Sequence, residues 1–193
     1  CKKIWLKYNI IKTAYSRNIT IFNILYKLND PWSMNTPIKQ FRFNETNKFI
    51  LQNFGKGNKL LEIGCGEGQQ TDYFSRIFDD IHAVDVSSIA VEKARKRFGD
   101  SNIIFKVGFV PKVTESFNNS YFDVVTACEV LYYMDNIPDI LDEISRVGKK
   151  CLITYYDGES NNMDNYFTGK NNIQSCEVKI GALKWKFLWW DNT

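Results

Sequence analysis

The feature that most constrains this chain is an alternation of short apolar runs with amphipathic stretches between Lys59 and Tyr156. Runs of five or six apolar residues between turns are typical of buried strands. The predicted strands are residues 59–63, 81–86, 103–107, 122–127 and 151–156. Helical patterns lie at 69–78, 88–98 and 137–147. This alternation predicts an α/β fold with a doubly wound, mostly parallel sheet and right-handed crossovers.

The N-terminal part predicts helices that cap this sheet. Ile4, Tyr8, Ile11 and Tyr15 repeat at helical spacing, and a second apolar cluster spans residues 21–28. A surface helix that touches membrane lipid is the alternative interpretation of this stretch.

Two breaks separate this stretch from the next predicted helix. They fall at Asn29-Asp30-Pro31 and at Pro37, where a helix is expected to stop. The following helix is predicted over residues 43–54, with Asn44 as its N-cap and Gly55 after its end.

The C-terminal part predicts a hairpin at the edge of the sheet. Residues 157–172 are polar and rich in asparagine, which indicates a long loop or a partly ordered lid. Apolar runs at 176–180 and 183–190 then surround Gly181-Ala182, which is a hairpin pattern. We therefore predict one domain over residues 1–193, with N-terminal capping helices (1–58) and a Rossmann-like core (59–193) that ends in an antiparallel hairpin.

Composition excludes several classes of partner. The formal net charge of +3 is small and the basic residues are scattered, so no nucleic-acid partner is predicted. No window of 18 apolar residues exists, so no membrane span is predicted. Five widely spaced cysteines without a CxxC pair predict neither a metal site nor disulfides, and they favour a reducing, cytoplasmic location. The oligomeric state is left open.

A glycine-rich turn follows the first predicted strand. Gly64, Gly66 and Gly68 lie between that strand and a helix, with Glu62 two residues before the first glycine. Asp85 ends the second strand, about 20 residues on, where a carboxylate binds ribose hydroxyls in such folds. This pattern predicts a nucleoside-binding site at the carboxyl ends of the strands.

Two cofactors compete for this loop. A nicotinamide dinucleotide requires GxGxxG, but Gln69 occupies the position of the third glycine. S-adenosylmethionine (SAM) carries an ammonium and a sulfonium, which suit an acidic loop containing Glu62. Cys65 is interpreted as a small side chain beside the cofactor, since it has no basic neighbour in sequence.

The order of these motifs resembles the class I SAM-dependent methyltransferases over residues 59–156. Val107-Gly108 follows the third strand, and Phe122-Asp-Val-Val opens the fourth. Phe109 stands where many relatives carry an acidic residue next to the adenine, so we expect it to pack on the purine face. The predicted cofactor-binding residues are Trp32, Arg42, Glu62, Gly64, Cys65, Gly66, Gly68, Asp85, Val86, Phe109 and Cys128.

A narrower resemblance covers residues 30–190. Asp30-Pro31-Trp32, Phe41-Arg42-Phe43, Glu129-Val-Leu-Tyr-Tyr133 and Trp185-Lys-Phe-Leu-Trp-Trp190 are similar to the nodulation-factor (NodS-like) N-methyltransferases. This resemblance implies a small-molecule acceptor, with an amino group of a sugar-like compound as the best candidate. Methylation of oxygen or of a protein is one alternative, and a SAM-binding protein without catalysis is another.

Three residues after the fourth strand are the predicted catalytic group. Glu129 is the candidate base or ammonium anchor for an amine, although it also fits the start of a helix. Of Tyr132 and Tyr133, one is expected in the core and the other on the pocket wall. His82 lies inside the second strand and is not assigned to the site.

The N-terminal segment contributes two further candidates. In proteins similar to this one such a segment closes over SAM, where Arg42 would pair with the methionine carboxylate. A solvent-exposed arginine is the competing interpretation. Trp32 belongs either to the same lid or to the core.

Overall fold

The computed structural model of the chain describes residues 19–99, 101–158, 162–169 and 172–192. The apolar repeat from Ile4 to Tyr15 lies outside the described residues. The strands are β1 (Lys59–Ile63), β2 (Asp80–Asp85), β3 (Ile103–Val107), β4 (Phe122–Cys128), β5 (Gly148–Tyr156), β6 (Gln174–Ile180) and β7 (Leu183–Asp191). The helices are α1 (Ile19–Leu25), α2 (Pro37–Asn53), α3 (Gln69–Phe74), α4 (Ser88–Phe98) and α5 (Ile137–Val147), with short 3-10 helices at Leu131–Tyr133 and Asn162–Tyr166.

The strands form one seven-stranded sheet in the order β3-β2-β1-β4-β5-β7-β6. The first five strands are parallel, and β7 pairs antiparallel with both β5 and β6. The predicted doubly wound α/β sheet with a C-terminal hairpin is confirmed. Because the strand order reverses between β1 and β4, the crevice at their carboxyl ends is the expected ligand site.

Hydrophobic cores cover both faces of the sheet. One face of the sheet packs under α2, α3 and α4, with Ile50, Phe74 and Val91 fully buried. The other face packs under α5, whose Ile144 is also fully buried. Fully burying such a side chain contributes roughly 1.5–3 kcal/mol. The sheet is therefore held rigidly, and so are the loops at the ends of its strands.

Several predicted boundaries were wrong. Pro37 begins α2 instead of breaking the chain, because proline at the first helical position lacks only an N–H that would be unpaired there. Asn44 consequently lies inside the helix, and Thr36 is the N-cap. α3 ends at Phe74, four residues before the predicted end, because Phe78 turns into the core.

The segment after β5 is partly anchored. Met163 and Phe167 are buried in the core, and the Tyr155 hydroxyl donates to the Asp164 carboxylate. Within the described ranges, no helix is long and apolar enough to cross a membrane. Nor does that part of the chain bring together three or more side chains able to hold a metal.

Candidate active site

The glycine loop and the end of β2 are joined by direct hydrogen bonds. The Gly66 amide donates to Asp85 Oδ2 at 2.9 Å, and the Ser87 amide donates to Asp85 Oδ1 at 2.8 Å. Each carboxylate oxygen keeps further lone-pair capacity for a ligand hydroxyl. Burial raises the pKa of Asp85, and the two amides oppose that shift. The carboxylate is thus held in place against the loop before any ligand binds.

Two glycines of this loop have no room for a side chain. Gly64 has φ of 79°, and a Cβ there would lie 2.4 Å from Val130 Cγ2. Gly66 has φ of 55°, and a Cβ there would lie 2.7 Å from the Tyr26 hydroxyl oxygen. Both positions therefore require glycine for conformation and for space.

Glu62 is a buried acid in β1, two residues before the glycine loop. Its side chain accepts a hydrogen bond of 2.5 Å from the Thr71 hydroxyl. Burial raises the pKa of Glu62 to about 7, against the lowering effects of Thr71 and Arg42. A bound cation nearby would favour the charged form of this carboxyl.

Arg42 reaches this region from α2 and is only 2% exposed. Within the described part of the chain, its Nε and Nη1 atoms have no hydrogen-bond partner. Glu129 Oε1, Thr154 Oγ1 and Trp185 Nε1 are also buried without a hydrogen bond of good geometry, although Trp185 lies close enough to Glu129 to lower its pKa. Buried polar groups are normally hydrogen-bonded, and an unpaired buried charge costs several kcal/mol. Of these four residues, Arg42 and Glu129 border cavities in which a polar ligand could reach them.

Three adjoining cavities run along the carboxyl edge of the sheet. The inner cavity, about 40 Å³, is bordered by Arg42 and Glu62. The central cavity, about 160 Å³, is bordered by Asp85 and Glu129. The outer cavity, about 380 Å³, is bordered by Phe109. Neighbouring cavities share walls, so together they form one groove.

Most of the predicted site residues border this groove. The inner cavity takes Arg42, Glu62 and Cys65, while Gly64, Trp32 and Cys128 border both inner and central cavities. Phe109 borders the outer cavity and is 54% exposed. Gly68 borders none of the three: it is the N-cap of α3, and a Cβ there would lie 2.7 Å from Phe98. The remaining predicted residues on these walls are Gly66, Asp85, Val86, Glu129, Tyr132 and Tyr133.

A segment that we call the lid, residues 19–34, lies across the groove. The rings of Phe22 and Trp32 pack on Tyr133 with centroid distances of 5.7 and 5.6 Å. Tyr26 is buried and lies over Gly66. Sequence reasoning missed Phe22 and Tyr26, although the apolar cluster at 21–28 was the signal for them.

Glu129 stands at the end of β4 in a strained conformation. Its φ is 59°, which costs a non-glycine residue about 1–3 kcal/mol. The Tyr132 hydroxyl donates weakly to Glu129 Oε2 at 3.3 Å. Burial raises the pKa of the Glu129 carboxyl, while Arg42 and Lys39 oppose this shift. The next element is only a three-residue 3-10 helix, so its dipole gives little reason for an acid here.

The other titratable side chains considered are His82, which lies outside the groove, and the unreactive thiols of Cys65 and Cys128. His82 packs on Phe117 and Phe122, each 5.3 Å away between ring centroids, and borders none of the three cavities. Burial raises the pKa of the Cys65 thiol, and it raises that of Cys128 to about 12. Neither thiol is a nucleophile at neutral pH.

Comparison with known proteins shows what this chain is similar to. A methyltransferase domain matches residues 61–151. Nodulation protein S of Sinorhizobium fredii is 24% identical over 144 residues, which cover 72% of this chain and 65% of that protein. The mitochondrial ubiquinone biosynthesis O-methyltransferase of Schizosaccharomyces pombe is 33% identical over 98 residues, which cover 50% of this chain and 36% of that protein. The chain thus spans less than two thirds of either relative.

A solved structure has the same fold. N-methyltransferase NodS from Bradyrhizobium japonicum WM9, in complex with S-adenosyl-L-homocysteine, matches with a TM-score of 0.74 and 16% identity. The match covers 90% of this chain and 97% of that one.

The sheet order and the glycine loop with its acidic partner are those of the class I SAM-dependent methyltransferase fold, and residues 61–151 match a methyltransferase domain. Among proteins with this fold, the chain is similar to the NodS-like proteins, the resemblance that its Asp30-Pro31-Trp32 and Glu129–Tyr133 motifs indicated.

Proposed function

We propose that this chain transfers a methyl group from SAM to an amino group of a small, sugar-like acceptor, acting as a single domain over residues 1–193. The observation that carries the proposal is the buried Glu129 carboxylate in the same cavity as Asp85 and Gly64 of the cofactor loop. The likeness to nodulation protein S supports nitrogen as the methylated atom. Buried, unpaired thiols at Cys65 and Cys151 favour the cytoplasm.

The residues of the groove fit SAM. The unpartnered Arg42 guanidinium suits its carboxylate, and the acidic Glu62 suits its ammonium. Asp85 has lone pairs left for two ribose hydroxyls, and Phe109 offers an aromatic wall for the purine. When bound, this cofactor supplies an electrophilic methyl group on its sulfonium.

The chain's own residues then have distinct tasks. Glu129 accepts the proton of the acceptor ammonium at its unpartnered Oε1 atom, which frees the nitrogen lone pair for attack. Its raised pKa makes it a stronger base than an exposed glutamate. Tyr132 and Tyr133 form the wall beside it, and Trp32 of the lid excludes water.

Mass spectrometry of reaction mixtures tests the proposal. The chain is incubated with SAM and, in separate reactions, with glucosamine, ethanolamine or catechol. We expect an amine product that is heavier by one methyl group, together with S-adenosylhomocysteine. SAM binding by calorimetry without any product would instead indicate a non-catalytic SAM-binding protein.

Oxygen methylation is the second candidate. It is favoured by the likeness to the ubiquinone biosynthesis O-methyltransferase, at 33% identity. Glu129 would then take the proton of a hydroxyl. A methylated catechol without any methylated amine would establish this candidate and overturn the first.

A further inference from the structure

The central cavity contains a cation that the proposed methyl transfer does not use. Lys39 lies in the first turn of α2 and borders this cavity together with Glu129 and Tyr132. Its side chain is half-buried, and burial lowers the pKa of its ammonium. Within the described residues, Lys39 forms no salt bridge, although nine other lysines do: Lys48, Lys93, Lys96, Lys112, Lys149, Lys150, Lys179, Lys184 and Lys186.

The geometry of α2 places Lys39 beside Arg42 but in a different cavity. The two residues are three positions apart, so they share one face of the helix. Arg42 borders the inner cavity with Glu62, and Lys39 borders the central cavity with Glu129. Each cavity therefore has one cation on its walls together with more than one acid, since Asp85 also borders the central cavity and Asp30 and Glu67 also border the inner one. Asp85 is already held by two backbone amides and Glu67 by Lys93, which leaves Arg42 with Glu62 and Lys39 with Glu129 as the pairs of interest.

The two pairs match two different ligands. The pair in the inner cavity complements the carboxylate and ammonium of the amino-acid end of SAM. The pair in the central cavity is left for the acceptor, since Glu129 is the site for its amine. The Glu129 carboxylate opposes the lowering of the Lys39 pKa but forms no salt bridge with it. A half-buried ammonium without a direct ion pair favours an anion in the ligand that fills the cavity.

We propose that Lys39 is a specificity-determining residue that selects acceptors with an anionic group, a phosphate or a carboxylate, close to the amine to be methylated. This inference rests on the proposed function. It adds that the acceptor is zwitterionic, which a neutral amino sugar is not. The ammonium of Lys39 serves both anions, because it is a point charge without the planar geometry of arginine.

Matched acceptor pairs test this inference. Glucosamine 6-phosphate is compared with glucosamine, and β-alanine with propylamine, so that one pair adds a phosphate and the other a carboxylate. We expect the wild-type kcat/KM to be at least tenfold higher for the member that carries the phosphate or carboxylate in at least one pair. In Lys39→Gln this ratio should fall close to one, and Lys39→Arg should restore most of it.

A matched control lies on the same helix. Lys48 pairs with Glu45 at the surface, with 64% of its side chain exposed, so Lys48→Gln removes the same charge away from the groove. We expect Lys48→Gln to keep the wild-type ratio. If Lys39 acted only by keeping Glu129 charged, Lys39→Gln would lower both members of a pair equally and leave the ratio unchanged. That result would overturn the inference.

Binding without turnover separates the inference from the proposed function. Equilibrium dialysis measures glucosamine 6-phosphate and β-alanine, each against its partner without the anionic group, in the presence of S-adenosylhomocysteine. Preferential binding of the member with the anionic group that is lost in Lys39→Gln, with no methylated product, would support the anion site and overturn the methyl transfer. Equal binding of both members, or no binding of either, would overturn the anion site.

Discussion

The proposed cofactor-binding end and the proposed acceptor-binding end of the groove differ in how far apart their residues lie in the sequence. The cofactor end consists of a short loop and one strand end, and the Gly66 amide bonds to Asp85 only 19 residues away. The acceptor end brings Lys39 and Glu129 from 90 residues apart, and Thr154 and Trp185 lie beside them across β5 and β7. A local motif can be recognised along the chain, whereas an assembled cavity requires the sheet topology.

The first test changes only the proposed acceptor end of the groove. Glu129→Gln keeps the shape but removes the proposed base, so the methyl-transfer rate should fall about 10²–10⁴-fold. The affinity for S-adenosylhomocysteine should change little. The loss should shrink as pH rises, because more of the amine is then already deprotonated. Rates are compared over a pH series, with the surface variant Glu92→Gln as control. Superimposable profiles for Glu129→Gln and wild type would exclude the catalytic role.

The second test concerns the point where the two ends touch. Gly64→Ala forces a Cβ against Val130, next to Glu129, and should cost about 2–5 kcal/mol of unfolding free energy from overpacking and positive φ. Gly55 is the matched control: its φ is 76°, but nothing lies within 4 Å of a Cβ there. Gly55→Ala should cost only about 1–2 kcal/mol. Equal losses in urea unfolding would show that crowding at Val130 is unimportant.

The third test uses the buried acid of the cofactor end. The folded-state pKa of Glu62 is raised from 4.5 to about 7, so between these values the folded chain keeps a proton that the unfolded chain has lost. Stability should therefore fall as pH rises through this window, by on the order of 3 kcal/mol. Glu62→Gln should remove this part of the pH dependence. Urea unfolding of the ligand-free protein at pH 4.5 and pH 8 measures it, and parallel pH dependences for both proteins would contradict it.

The smallest expected effect is on cofactor affinity. Asp85→Ala removes a charged acceptor from the proposed ribose contacts, and such hydrogen bonds contribute about 1.5–3 kcal/mol. Calorimetry should show binding of S-adenosylhomocysteine weakened by at least tenfold. Since Asp85 also holds the Gly66 amide, a circular dichroism spectrum is needed to confirm that the loop variant is folded. An unchanged dissociation constant would exclude Asp85 as the ribose ligand.

Much of the fold could be predicted because the central strands β1, β4 and β5 are apolar and mostly buried on both faces. The order of strands and helices after Lys59 matched the structure, and so did the C-terminal hairpin. The boundary at Pro37 failed, because proline both ends and begins helices and only the surrounding packing decides which. That single error hid Lys39, since a helix assumed to begin at residue 43 does not place Lys39 beside Arg42.

The sequence by itself determined the cofactor end of this protein. The spacing from Glu62 to Asp85 requires a tight turn and an adjacent parallel strand, and these are local constraints on the backbone. Only the tertiary structure decided that Arg42 is buried without a partner, that Tyr26 lies over Gly66 and that Lys39 shares a cavity with Glu129. These contacts depend on how α2 and the lid pack on the finished sheet. Side chains brought together by packing leave no periodic signal along the chain.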